Sequence, residues 1–108
     1  MLSWLYLISA IIFEVLGTTS MKLSNGFSKL TPSILMFVFY ILSLSMLTLA
    51  LKKFDVSFTY AIWSGLGTAL ITIIGIYFFK EEVNFIKIFS IVLIIIGVIG
   101  LHLSNKGV

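Results

Sequence analysis

The sequence has no cysteine, no arginine and a single proline, and only 10% of its 108 residues are charged. Each shortage closes a class of answers. Without cysteine there are neither disulfides nor thiolate metal sites. So few charges against 60% hydrophobic residues, with a mean hydropathy of +1.22, lie outside the range of soluble domains. Period-two alternation is absent, which disfavours a barrel. No apolar run carries a polar stripe wide enough to face water, which disfavours a soluble bundle. There is no internal repeat and no low-complexity linker.

What is present is four apolar runs: Met1 to Met21, broken only by Glu14, then Thr31 to Leu51, Val56 to Phe79 and Ile88 to Asn105. Each is long enough to cross a bilayer as a helix, which takes about 20 apolar residues. The first is not expected to be a cleaved signal, because no Lys or Arg precedes its core, Glu14 interrupts it and no clean small-residue cleavage site follows. The expectation is an all-α integral membrane protein, one four-helix domain over 1–108 with helices at about 3–21, 32–51, 56–79 and 86–104. The punctuation is short: Ser24-Asn25-Gly26, Lys52 to Asp55, and Lys80 to Asn84. Such tight links predict that consecutive helices are antiparallel neighbours. Thr31 is the expected N-cap of the second helix, with Pro32 in its first turn.

Lysine alone supplies positive charge. Lys52, Lys53 and Lys106 fall on the side of the N-terminus, and Lys22, Lys29, Lys80 and Lys87 on the other, so three oppose four. The positive-inside rule needs a bias to fix orientation, and here there is almost none. The net charge of +3 is accounted for by anionic lipid headgroups and does not call for nucleic acid. His102, near the end of the last run, reads as a polar residue at the membrane interface.

Glu14 is the only side chain carrying a formal charge within the hydrophobic interior of any run. A carboxylate there costs several kcal/mol unless it binds a proton, pairs with a cation or faces a wet cavity. Proton and cation exclude each other, so the residue is an exchange switch. No Arg exists, and no Lys lies at that depth, to neutralise it permanently. Ala10, Gly17 and Thr18 stand at i−4, i+3 and i+4, which gives its face small, mildly polar neighbours. Such a face serves a ligand or close helix packing equally well. In the third run Tyr60 and Trp63 share a face, and Ser64 follows Tyr60 by one turn. Aromatic faces bind organic cations, and a carboxylate between aromatic walls suits a lipophilic one. Tyr40 and Trp4 are further aromatic candidates. Gly65 and Gly67 offer close approach or a bend. Ser90, Gly97 and Gly100 form a small-residue stripe on the fourth helix, read as a dimerisation face.

The run Glu14-Val15-Leu16-Gly17-Thr18-Thr19-Ser20-Met21-Lys22, then Ser24-Asn25-Gly26-Phe27, Pro32-Ser33, Tyr60 to Gly67 and Phe78-Phe79, resembles the small multidrug resistance family over essentially the whole length. That resemblance implies an antiparallel, dual-topology homodimer in which two copies of Glu14 form one site that holds protons or a cationic drug in turn. Gly17-Thr18 and Ser43 resemble the branch exporting quaternary ammonium and polyaromatic cations. The guanidinium-exporting branch typically carries a Trp where this chain has Leu16. Trp4, in place of the usual Tyr, and Ser90, in place of a common Gly, depart from the pattern.

The expected function is therefore proton-coupled export of hydrophobic cations across a bacterial plasma (inner) membrane. The expected partners are cationic small molecules, protons, lipid and a second copy of the chain. No cofactor, metal or nucleic acid is expected, and no enzymatic reaction. A guanidinium exporter of the same fold, half of an obligate heterodimer and a non-transporting membrane subunit remain open alternatives.

Overall fold

The computed structural model describes residues 2–104, so Lys106 of the charge tally lies outside the described residues. Four helices fill them: α1 (Leu2–Leu23), α2 (Leu30–Ala50), α3 (Val56–Phe78) and α4 (Phe85–Ser104). All four are long and apolar enough to cross a membrane. In hydrocarbon every backbone N–H and C=O needs an internal partner, which a helix provides within itself. The hydroxyls on the outward faces follow the same logic. Ser64, Thr68 and Thr72 each donate to the carbonyl four residues earlier, at 2.8, 2.7 and 2.7 Å. A hydroxyl bonded back to its own helix presents little unpaired polarity to lipid.

The helix ends agree with the sequence to within two residues, and the cap of α2 is a correction. Its N-cap is Lys29, in extended conformation and without a side-chain cap bond, so Thr31 lies inside the helix. Pro32 stays in the first turn, where backbone N–H groups have no helical partner to lose. The Ser24-Asn25-Gly26 turn forms as expected, with Asn25 and Gly26 at positive φ.

The order of packing departs from a simple up-and-down ring. α1 packs on both α2 and α3, and α4 packs on α3, which gives the row α2, α1, α3, α4. The short link from Lys52 to Asp55 joins the ends of α2 and α3, yet α3 finds its main partners in α1 and α4. The core explains this. Leu7, Ile11 and Val15, one turn apart on α1, meet Ala50, Phe54, Phe58 and Ile62 from the α2–α3 corner. The molecule is consequently a slab, 45 × 35 × 17 Å, and α4 at its edge has no buried residue. Beyond α3, α4 reaches α1 through His102, whose ring meets Trp4 edge-on at 5.4 Å.

Candidate functional site

Glu14 sits on α1, the helix flanked on both sides, and is half-buried between α2 and α3. The Thr18 hydroxyl, one turn below, donates to Glu14 Oε1 at 3.0 Å. The Tyr40 hydroxyl of α2 lies 2.6 Å from the same Thr18 oxygen. Thr18 has one proton and spends it on Glu14, so Tyr40 is the donor in the second bond. The resulting relay, Tyr40 to Thr18 to Glu14, fixes one carboxylate oxygen. The other, Oε2, is buried and has no hydrogen-bond partner among the described residues. It rests on α3 at Gly67, where an added Cβ would stand 2.8 Å from it. A side chain there would close the seat of the carboxyl.

The remaining residues expected at the site divide into those that frame Glu14 and those that do not. Ala10, fully buried one turn above, accepts a 2.7 Å hydrogen bond from the buried Ser43 hydroxyl at its backbone carbonyl, which pins α2 to α1 at this level. Gly17 lies under the Tyr40 ring, 3.0 Å from where its Cβ would be. Trp63 stands one turn before Gly67 on α3, half-buried, and its indole N–H has no partner among the described residues. Tyr60 meets it at 5.8 Å between ring centroids and is 60% exposed. The Ser64 hydroxyl, by contrast, is bonded to the Tyr60 carbonyl on the outward side. Trp4 is ten residues before Glu14, about 15 Å along the helix axis, and its ring packs on Phe54 at 5.1 Å and Phe58 at 6.0 Å.

Helix α3 is unbroken through Gly65 and Gly67, and in this conformation both admit close neighbours. Gly65 lies under Val98 of α4, 2.9 Å from its would-be Cβ, and Gly67 lies under Glu14. Ser90, Gly97 and Gly100 are exposed on α4, and nothing stands within 4 Å of where the two glycines' Cβ atoms would be.

The sequence offers close approach or a bend at Gly67 without naming the neighbour, and it does not single out Gly75 or Glu81. The signal for the two glycines was a period of four: Trp63, Gly67, Ile71 and Gly75 form one stripe of α3, continued by its C-cap Phe79. Opposite it run Glu14, Thr18 and Lys22 of α1. Between the lower halves of these stripes lies a cavity of about 430 Å³.

A half-buried carboxylate with one tethered and one unpaired oxygen, seated on a bare glycine one turn from Trp63, lies inside a stretch of clear kinship. The family described as Small Multidrug Resistance protein matches residues 2–94. The chain belongs to the small multidrug resistance family. It is a multi-pass transporter of the bacterial plasma (inner) membrane. Among its relatives, the uncharacterized membrane protein YvaE of Bacillus subtilis is 56% identical, over 94% of this chain and 86% of YvaE. The quaternary ammonium compound-resistance protein QacH of Staphylococcus saprophyticus is 41% identical, over 92% of each chain. The guanidinium exporter of Escherichia coli K12 is 38% identical, over 96% of this chain and 99% of the exporter. The relatives thus include proteins named for both kinds of cation.

Proposed function

We propose that the protein is a proton-coupled antiporter that exports hydrophobic, aromatic or quaternary-ammonium cations, with protons and cation competing for Glu14. The observation that carries the reading is the unpaired, buried Oε2 beside Gly67. A carboxylate oxygen in that position is stabilised by a proton or by a cation, never by both. Tyr40 and Thr18 hold the other oxygen, so the carboxyl keeps its aim while the occupant changes. Trp63 and Tyr60 supply π faces for the cation. The relatives named for quaternary ammonium resistance and for guanidinium export both fit a cation site at this glutamate. Leu16 supports the broader substrate class, because it stands where the guanidinium-exporting branch typically carries a Trp.

In a slab 17 Å thick with Oε2 seated directly on α3, a second copy supplies the remaining walls of the Glu14 site. The nearly even lysine distribution supports an antiparallel homodimer of dual topology, joined through the open stripe Ser90, Gly97 and Gly100. Two Glu14 carboxyls would then face one site and titrate as a coupled pair. In alternating access the pair opens to either side in turn, and a bend at Gly65 and Gly67 gives α3 the freedom to follow.

The test is uptake into proteoliposomes driven by a pH difference, with tetraphenylphosphonium and guanidinium as alternative cargoes. Wild type is expected to drive tetraphenylphosphonium uphill, and cation affinity is expected to fall from about pH 9 to about pH 5 as protons occupy Glu14. Glu14→Gln keeps the shape but cannot exchange a proton, and is expected to lose coupled transport. Uphill transport by Glu14→Gln, or an affinity that ignores pH, refutes the reading.

A further inference from the structure

Below Glu14 the groove between α1 and α3 widens into a cavity that the exchange cycle above does not use. It is walled by Thr18 and Lys22 of α1, Ile71 and Gly75 of α3, the C-cap Phe79, and Glu81 of the following link. Its volume of about 430 Å³ falls among ligand pockets. Thr18 is a wall common to both places, since its hydroxyl donates to Glu14 at 3.0 Å. Lys22 is two turns below Glu14, about 12 Å along the axis.

The link after α3 is shaped to bring Glu81 here. Lys80 adopts the left-handed region, φ +58°, which disfavours a residue with a side chain. That turn sends Glu81 back over the helix end, where its backbone N–H donates to the Gly75 carbonyl at 3.0 Å. Gly75 then admits the side chain, because a Cβ there would stand 2.7 Å from the Glu81 carboxyl carbon. The carboxyl therefore lies against bare α3 backbone. The described residues hold one ion-pair partner for it, Lys87, at a loose 3.9 Å. Lys87 also donates to the Glu82 carbonyl at 2.8 Å, so its ammonium is shared between that carbonyl and the carboxyl. Glu81 is 51% exposed and retains acceptor capacity toward the cavity.

We propose that this cavity is a second, weaker cation site, in which the Glu81 carboxylate and the Phe79 ring hold a hydrophobic organic monocation on its way to or from Glu14. The proposal rests on the reading of Glu14 as the central cation site. The chemistry matches that cargo: Phe79 offers a π face, Met21 and Ile71 offer apolar surface, and Glu81 offers the countercharge. Lys22 on the same wall opposes a cation and keeps the stay short. A site that attracts without trapping raises the local concentration of cargo beside Glu14 and speeds its capture.

Equilibrium titration of tetraphenylphosphonium into full-length Glu14→Gln at low salt isolates this site. The expected result is residual binding about 10- to 100-fold weaker than wild type, absent from Glu14→Gln/Glu81→Gln. It is also weakened in Glu14→Gln/Gly75→Ala, where the charge remains but its seat is filled. No residual binding in Glu14→Gln, or equal binding by the single variant and the Glu81 double variant, overturns the proposal. With Glu14 intact, Glu81→Gln is expected to raise KM for uptake about three- to tenfold and to flatten the salt dependence of kcat/KM, with Glu81→Asp restoring much of both. Glu81→Gln kinetics indistinguishable from wild type overturn the second site alone. A wild-type protein that moves no cation in response to a pH difference instead overturns the reading of Glu14, and this proposal with it.

Discussion

Replacing Gly67 with Ala sets function against stability, because one methyl group acts on each with opposite sign. The added carbon would lie 2.8 Å from Glu14 Oε2 and 3.6 Å from the carboxyl carbon, with no other neighbour inside 4 Å. The collision is therefore with the end of one flexible side chain. It is relieved when the Glu14 carboxyl swings away from α3, and that swing strains or breaks the 3.0 Å bond from Thr18. A hydrogen bond to a charged group contributes about 1.5–3 kcal/mol. At about 1.4 kcal/mol per tenfold, cation affinity should fall roughly 10- to 100-fold. The same change replaces glycine with alanine in mid-helix, which favours α3 by about 1 kcal/mol. Thermal unfolding in detergent should accordingly show an equal or higher Tm, while titration with tetraphenylphosphonium shows weaker binding in the same preparation. Wild-type affinity in Gly67→Ala would mean that the bare backbone is not what seats the carboxyl. A fall in Tm together with affinity would mean that Gly67 serves helix packing instead.

Trp63→Ala should weaken binding of aromatic cations by about 1–2 kcal/mol while the pH dependence of binding persists, read by fluorescence-independent calorimetry. Tags on either terminus should be found on both sides of the membrane. Adding two or three lysines to one side should lower activity until an oppositely biased copy is supplied, and one fixed orientation in the unmodified protein would contradict this. Gly97→Leu with Gly100→Leu fills space that is open in the single chain, so it should leave the fold of each copy intact and disperse the dimer. Cross-linking yield and light scattering check that outcome.

The spans were legible because a membrane imposes a blunt rule. Any run of about 20 apolar residues must become a helix, and the four runs did. Glu14 was legible for the same reason, as the one charge the rule cannot absorb. Thr18 followed from helical spacing alone, since its partner is four residues away on the same helix. Tyr40 needed more, because its bond to Thr18 depends on how α2 rotates against α1. The order of the row was hidden too. The short link of α2 to α3 argued for direct pairing, whereas the apolar ridge Leu7, Ile11 and Val15 drew α3 onto α1. Gly67 was legible as a place for close approach or a bend, but which neighbour approaches it, the Glu14 carboxyl, depends on how α3 packs on α1. Glu81 was out of reach, because its placement depends on a left-handed turn at a lysine, which sequence pattern does not announce.

The central position of α1 bears on how the protein is made. The helix that carries the costly carboxylate leaves the ribosome before the other three, and the surfaces that shelter it follow in a set order. Thr18 arrives with α1 itself, and Tyr40 and Ser43 arrive with α2. Gly67 and Trp63 arrive only with α3. A nascent chain that ends after α2 can already form the relay to one oxygen of Glu14 and pin the hairpin at Ala10. The other oxygen stays without its seat until α3 enters, so the hairpin of α1 and α2 is the unit that membrane insertion must hold together while synthesis continues.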